Sequence, residues 1–175
     1  MINLRNRLLL LTGTVFWVII VFTFSSQPLK EQDIKPKLKQ WISSNSAEQL
    51  SPNVTFYYHN TLISGRDNPF GFIEFIIRKC AHMFEYGMLA FLVYCCLSFI
   101  NRIRFRVSLV LVFVVVTACF DEWNQSHISE RTSTILDVGV DTLGATIAVT
   151  MTLMYSVYRR YKVNRNGKAI SSHSR

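Results

Sequence analysis

Charged residues are scarce in this sequence. They make up 17% of the 175 residues, whereas apolar residues make up 50%. Together with a positive mean hydropathy of +0.23, this balance excludes an ordinary soluble domain. The chain is also too short for several compact units, so we predict a single membrane domain over residues 1–175.

Three further signatures are missing. The net charge of +8 lies in short clusters between apolar runs instead of one basic stripe interleaved with aromatics, so we expect no nucleic-acid partner. The four cysteines show no Cys-x-x-Cys spacing, and we expect neither a bound metal nor a cofactor. We interpret them as small buried residues, with a Cys80–Cys119 disulfide as the minor alternative. No A-x-A-like site follows the first apolar run, which favours an uncleaved anchor over a signal peptide.

Four apolar runs approach the roughly 20 residues that a helix needs to cross the hydrocarbon core. They predict spans at approximately 8–24, 79–100, 105–122 and 135–158. The third run is short, and we expect its helix to continue to Gln125 because nothing there breaks a helix. Asn68-Pro69 is typical of a helix start, so the second long helix is expected to begin there. No pattern assigns a fold to residues 29–68.

Basic residues flank the four runs on alternate sides. Lys and Arg in short flanks remain cytoplasmic, so the predicted fold class is an all-α integral membrane protein with four transmembrane helices and both termini inside. An extracytoplasmic loop of about 45 residues then lies between helices 1 and 2. The basic residues of the N-terminus, the 101–106 loop and the cytoplasmic tail 159–175 support this: Arg5, Arg7, Arg102, Arg104, Arg106, Arg159, Arg160, Lys162, Arg165 and Lys168.

Ionisable residues gather near the predicted outer ends of the spans. Lys79, His82 and either Glu85 or Tyr86 share one stripe of the second helix, because they are three or four residues apart. Similar spacings occur on the third and fourth helices. Because charge inside a membrane is costly unless paired, we expect these residues to converge on one site. The candidate ligand-binding residues are Lys79, His82, Glu85, Tyr86, Asp121, Glu122, Gln125, Arg131, Asp137 and Asp141.

Simpler local roles remain as alternatives. Arg78 and Lys79 can anchor the helix end by snorkelling. Asp137 follows Thr134 at capping-box spacing and can satisfy a helix N-terminus. Asp121 and Glu122 can instead be solvated residues at the membrane boundary. Capping does not explain Glu85 and Asp141, which lie deeper in the predicted spans. An unpaired negative charge at that depth in the membrane is costly.

At these residues the sequence resembles the VanZ-like family of bacterial membrane proteins, named after a teicoplanin-resistance determinant. The resemblance covers residues 8 to about 158. Two positions depart from the family pattern: Asp141 stands where many relatives have Asn, and Ser129-Glu130 precede Arg131 where Pro-Gly is common. The matching segments are Phe24-Ser-Ser-Gln-Pro28, Arg78-Lys-Cys-Ala-His-Met-Phe-Glu-Tyr86, Asp121-Glu-Trp-Asn-Gln125, and Arg131 followed by Asp137 and Gly144.

The resemblance implies a multi-pass protein of the bacterial cytoplasmic membrane that reduces susceptibility to teicoplanin-like glycopeptides. Its expected partners are the lipid bilayer and one ligand. The ligand is an outer-leaflet lipid headgroup, a cell-wall precursor or the antibiotic. The alternative is a membrane enzyme acting on a lipid phosphate or acyl donor, with His82 as acid or base. Its catalytic candidates are His82, Glu85, Asp121 and Glu122. A proton-coupled carrier is disfavoured because the four spans contain no visible repeat.

Overall fold

Four long helices dominate the computed structural model, which describes residues 4–28, 30–59, 61–128 and 134–173. These four, α1, α4, α5 and α6, are long and apolar enough to cross a membrane, as the sequence predicts. A 3-10 turn, Leu97–Phe99, extends α4. The elements in chain order are α1 (Leu4–Ser25), α2 (Lys35–Trp41), α3 (Ser44–Leu50), β1 (Thr55–Tyr58), β2 (Thr61–Ser64), α4 (Pro69–Cys96), α5 (Ile103–Gln125) and α6 (Ile135–His173).

The ends of the long helices follow local signals. Asn68 caps α4, since its side-chain oxygen accepts a hydrogen bond of 3.0 Å from the Gly71 backbone N–H, and Pro69 follows as the first helical residue. The expected start of this helix is therefore confirmed. α5 continues through Gln125, as predicted. α6 continues to His173, well beyond the predicted end of the span at 158.

α4 occupies the centre of the bundle and packs against α6, α5 and α1. The outward faces of the long helices carry large exposed apolar side chains, which suits a surface that faces lipid. The buried core between the helices is mainly aliphatic, with two tyrosines: Val21, Tyr86, Leu89, Ala90, Val93, Tyr94, Val110, Val114, Ala118, Val138, Ala145 and Val149.

The prediction for the cysteines needs correction. All four are free, so Cys80 and Cys119 form no disulfide. These two are exposed on their helices instead of buried, while Cys95 and Cys96 are half-buried. A thiol behaves as a small apolar group, so a lipid-facing helix surface accepts it as readily as the core does.

Glycine allows α4 and α6 to approach each other closely. A Cβ atom added at Gly144 would lie 2.3 Å from the Met83 carbonyl oxygen, and one at Gly87 would lie 3.2 Å from the Gly144 carbonyl oxygen. Gly144 and Ala148 are four residues apart, the small-residue spacing that brings membrane helices together. This contact sets the α4 face that carries Lys79 and His82 against α6.

The connection between α1 and α4, for which the sequence predicts no fold, adds a small sheet to the otherwise helical chain. Two short strands pair there as an antiparallel hairpin, with Thr55 opposite Ser64 and Tyr58 opposite Thr61. The strands are rich in β-branched and aromatic residues, which favour extended backbone. The Phe75 ring lies 5.0 Å from the Tyr58 ring, so the hairpin covers the first turns of α4.

The two ends of the bundle differ in character. Gln125 at the end of α5 contacts Ser25 at the end of α1, so these ends meet beside the hairpin. We call this the hairpin end. At the opposite end, which we call the basic end, Arg7 lies 5.9 Å from the Phe99 ring and Arg106 contacts Tyr94. These two contacts place the N-terminal flank and the 101–106 loop at the basic end. α6 begins near Asp137 at the hairpin end and runs along the core past Leu153, so the arginines that follow it, Arg159 and Arg160, also lie toward the basic end.

Replacing Gly144 by alanine should destabilise the bundle, because the new methyl group would overlap the α4 backbone. We expect Gly144→Ala to lower the free energy of unfolding by about 1–3 kcal/mol, measured by SDS titration in mixed micelles. Gly139→Ala is the matched control on the same helix, since a Cβ there meets no atom within 4 Å. Equal stability of the two variants would contradict the close approach.

Candidate functional site

Polar and ionisable side chains converge at the hairpin end, between α4, α5 and α6. Most of them lie below the surface of the bundle. We call this group the polar cluster, and its described members are Tyr58, Lys79, His82, Tyr86, Asp121, Glu122, Gln125, Asp137 and Asp141.

Lys79 and Asp137 form the first ion pair of the polar cluster. The Lys79 ammonium donates to Asp137 Oδ1, and the Tyr58 hydroxyl donates to the same oxygen. Only 15% of the Lys79 side chain and 12% of the Asp137 side chain are exposed. The ammonium also lies 4.4 Å from the centroid of the Tyr58 ring and 5.4 Å from that of Phe75. Two aromatic faces and one carboxylate thus replace water around this cation.

The position of Tyr58 affects its own ionisation. Burial, followed by the hydrogen bond to Asp137, raises the pKa of the Tyr58 hydroxyl above its ordinary value. The hydroxyl therefore stays protonated at neutral pH and remains a donor. A hydrogen-bond donor from the hairpin thus holds the carboxylate of α6 in place.

The capping role considered for Asp137 is not what its side chain does. In a capping box the Asp137 carboxylate would accept the Thr134 backbone N–H. Here Glu122 Oε2 accepts that N–H at 2.8 Å, while the Thr134 hydroxyl accepts from the Leu136 N–H at 3.3 Å. Glu122 on α5 therefore caps α6, which leaves Asp137 for Lys79 and Tyr58.

His82 and Asp141 form a second pair one turn further along α4 and α6. Nδ1 of His82 lies 3.4 Å from Asp141 Oδ1, and the two side chains are 12% and 1% exposed. The two atoms make no hydrogen bond with each other, so the contact is an electrostatic one that holds when the imidazole carries a proton. Tyr86, which is wholly buried, lies within electrostatic reach of Asp141 and Asp121.

Hydrogen bonds tie α5 to α1 within the polar cluster. The Gln125 side-chain amide donates to Asp121 Oδ2 at 3.0 Å and to the Ser25 hydroxyl at 2.6 Å. All three residues are buried. Asp121 and Glu122 are therefore not solvated boundary residues, because both carboxylates lie inside the bundle. Asp121 accepts a hydrogen bond from Gln125 of its own helix, and Glu122 accepts one from the start of α6.

Negative charge exceeds positive charge among the described members of the polar cluster. Four carboxylates share the space with two groups that can carry positive charge, Lys79 and His82. Buried carboxylates are costly in a medium of low dielectric unless protons, cations or donors compensate them. Arg131, the further cation that the sequence predicts for this site, lies outside the described residues.

Of the two residues that the sequence offers for the α4 stripe, Tyr86 lies in the polar cluster and Glu85 lies beside it. Its half-buried side chain lines a cavity of about 240 Å³ between the end of α1, the following segment and α4. His82 lines the same cavity and so connects it with the polar cluster. The other lining residues include Phe24, Ile77 and Ala81, which give the cavity an apolar side.

The structure thus places eight of the ten sequence candidates in the polar cluster and a ninth, Glu85, in the adjoining cavity, while Arg131 lies outside the described residues. Sequence reasoning missed three contributors: Tyr58, Ser25 and Thr134. Tyr58 had a usable signal, since β-branched and aromatic runs on either side of His59-Asn60 are typical of a hairpin. Within the described ranges, no three His, Cys, Asp or Glu side chains are grouped to hold a metal ion.

Removing either member of the Lys79–Asp137 pair should destabilise the bundle, because the remaining charge stays buried. We expect Asp137→Asn or Lys79→Gln to lower the free energy of unfolding by about 3 kcal/mol, and the double variant to lose clearly less than the sum. SDS titration in mixed micelles measures both. The control is the exposed pair Asp33 and Lys35, replaced singly and together by Asn and Gln. The losses of unfolding free energy from its two single variants should nearly add up in the double variant. Additive losses at Lys79 and Asp137 would contradict the buried pair.

Comparison with known proteins agrees with the resemblance seen in the sequence. The model of the VanZ/LLP1 family matches residues 10–157, which include the four long helices up to the middle of α6 and every described residue of the polar cluster. No curated protein and no solved structure matches the chain. With this match and four helices suited to crossing a membrane, the chain is a multi-pass membrane protein that belongs to the VanZ/LLP1 family.

Proposed function

We propose that this chain resides in the bacterial cytoplasmic membrane and binds an outer-leaflet ligand at the polar cluster. The ligand is a lipid headgroup, a cell-wall precursor or a glycopeptide antibiotic, and binding reduces susceptibility to teicoplanin-like glycopeptides. The observation that carries the proposal is the buried pairing of Lys79 with Asp137 and of His82 with Asp141, next to a cavity. Polar groups that are this costly to bury in a membrane usually serve a function.

The orientation of the chain is part of the proposal. The basic flanks favour a cytoplasmic basic end with both termini inside, because Lys and Arg in short flanks are retained there. The hairpin end then faces the extracytoplasmic side, and we expect residues 25–72 and 121–134 on that side. A ligand reaches the cavity from the outer leaflet without crossing the membrane.

The chemistry of the cavity supports an amphiphilic ligand. His82 and Glu85 supply polar contacts on one side, while Phe24, Ile77 and Ala81 supply an apolar side. Its volume of about 240 Å³ suits a headgroup or a sugar unit better than a whole antibiotic molecule. Membership of the VanZ/LLP1 family supports an antibiotic-linked role, because the family name derives from a teicoplanin-resistance determinant.

A membrane enzyme acting on a lipid phosphate or acyl donor is the second candidate. The contact of 3.4 Å between His82 and Asp141 favours it, since a carboxylate next to an imidazole is a common arrangement for general acid–base catalysis. Turnover of a lipid substrate by the purified chain, abolished by His82→Ala, would favour this candidate. Saturable binding without turnover would favour the binding protein.

The proposed orientation predicts which positions react with an impermeant thiol reagent in intact cells. In a chain whose four native cysteines are replaced, a cysteine at the exposed position Lys37 should be labelled, and one at the exposed position Asn101 should be labelled only after lysis. The reason is that the two positions flank opposite ends of the bundle. Labelling of Asn101→Cys from outside would overturn the orientation.

Deletion of the gene should increase sensitivity to teicoplanin more than to vancomycin, because teicoplanin carries an acyl tail that reaches the outer leaflet. Re-expressed variants with Lys79, His82 or Glu85 substituted should fail to restore resistance, and we expect the same of Arg131. Minimum inhibitory concentrations measure the effect.

Arg160→Gln is the control variant, since Arg160 belongs to the basic end and should restore resistance fully. Membrane abundance of every variant is measured alongside, so that a loss of protein is not read as a loss of function. Unchanged teicoplanin sensitivity in the deletion strain would remove the resistance role.

A further inference from the structure

Arg78 faces away from the polar cluster although it adjoins Lys79. Successive residues on a helix are about 100° apart, so Lys79 contacts α6 while Arg78 faces the segment that follows α1. The half-buried Arg78 lines the cavity of about 240 Å³ and also a second one of about 270 Å³ beneath β2 and residues 30–35. The two cavities share Glu74 and Arg78, so the guanidinium lies at their junction.

The two carboxylates that line the larger cavity together with Arg78, Asp33 and Glu74, are engaged by other groups. Glu74 Oε1 accepts the Ile34 backbone N–H at 3.2 Å, and Glu74 Oε2 lies 3.6 Å from the Lys35 ammonium. Asp33 Oδ1 accepts the Lys35 backbone N–H at 2.9 Å, and this bond lowers the pKa of the exposed Asp33 carboxyl. Lys35 thus joins both carboxylates, and α2 begins where they meet.

Arg78 itself forms no hydrogen bond or ion pair with another residue in the described part of the chain. Glu85, the remaining carboxylate of the smaller cavity, lies seven residues further along α4, about 10 Å deeper by helix rise. His82 is paired with Asp141. A guanidinium at the junction of two cavities therefore keeps its donors available for a ligand.

The surroundings of Arg78 define the kind of ligand. The predicted apolar span of α4 begins at residue 79, so Arg78 stands at the level of lipid headgroups. Ile77 lies beside it and Ala81 about one turn deeper, and both are exposed apolar residues on the surface of α4. A planar guanidinium matches two oxygens of a phosphate group, and an apolar strip beside it matches a hydrocarbon chain.

We propose that Arg78 binds the phosphate group of a lipid whose headgroup occupies these two cavities and whose chains lie along α4. The inference rests on the proposed binding function and narrows its ligand to a phosphate-bearing lipid. It also gives Arg78 a role in ligand recognition in place of a simple membrane anchor.

Lipid titration of the purified full chain in a neutral detergent tests this, with bound lipid read by native mass spectrometry. The probes are phosphatidic acid, phosphatidylglycerol, diacylglycerol with the same chains, and inorganic phosphate. We expect the two phosphate lipids to bind saturably. Diacylglycerol, which lacks the phosphate, should not bind, and inorganic phosphate, which lacks the chains, should compete only weakly. Strong competition by inorganic phosphate alone would mean that the ligand is a free phosphate compound and not a lipid.

Arg78→Gln should raise the Kd for phosphate lipids at least about tenfold, because it removes a charge-assisted hydrogen bond. Arg78→Lys should retain part of the affinity, since it keeps the charge but loses the planar donor pair. Arg66→Gln is the matched control: Arg66 is exposed at the same end, outside both cavities, and its loss should leave the Kd unchanged. Thermal unfolding of each preparation shows that the variants are folded.

Wild-type affinity in Arg78→Gln, or an equal loss in Arg66→Gln, would overturn the role of Arg78. A Lys79→Gln variant separates this failure from that of the proposed function. If Lys79→Gln abolishes binding while Arg78→Gln does not, the polar cluster remains the site and only the inference fails. If no phosphate lipid binds the wild-type chain, the inference fails, and susceptibility of the deletion strain decides the proposed function independently.

Discussion

Burying carboxylates among membrane-spanning helices is the constraint on which the rest of this structure depends. Asp121, Glu122, Asp137 and Asp141 all lie inside the bundle. Each ionised carboxylate loses several kcal/mol of hydration unless partners replace water. The partners of Asp137 and Asp141 come from α4 and β1, and Glu122 on α5 bonds to the start of α6, so the helices must meet at one end. Close packing of α4 on α6 at Gly144 and the capping of α6 by Glu122 both serve this convergence.

The β1–β2 hairpin packs over the polar cluster and shields part of it from solvent. Tyr58 donates a hydrogen bond to Asp137 and places its ring against the Lys79 ammonium. The hairpin is itself fixed to the start of α4, because the Ser64 hydroxyl bonds to Asp67 at 2.7 Å and Phe75 packs against Tyr58. Lys79 and Asp137 are thereby shielded, while His82 still reaches the adjoining cavity. The site is thus enclosed on the α6 side and accessible on the α1 side.

The long helices and most of the site were predictable from the sequence. Apolar runs identify membrane spans, and residues three or four apart share a helix face, so Lys79 with His82 and Asp137 with Asp141 were expected to line up. The pairing of each cation with a particular carboxylate was not predictable, because it depends on the relative height of α4 and α6. Tyr58 and the cavities around Arg78 show the same limit, because both depend on the connection between α1 and α4, whose short elements pack in a way that no sequence periodicity encodes.

A distance between Lys79 and Asp137 in a lipid bilayer tests the central claim most directly. Solid-state NMR on the reconstituted chain, with ¹⁵N-labelled lysine and ¹³Cγ-labelled aspartate, measures the separation of Lys79 Nζ and Asp137 Cγ, and an Asp137→Asn sample identifies the signal. The account predicts a separation within about 4 Å, as expected for a direct ion pair. If the wild-type chain shows no lysine–aspartate coupling, or only couplings that persist in Asp137→Asn, the two helices do not share one buried site.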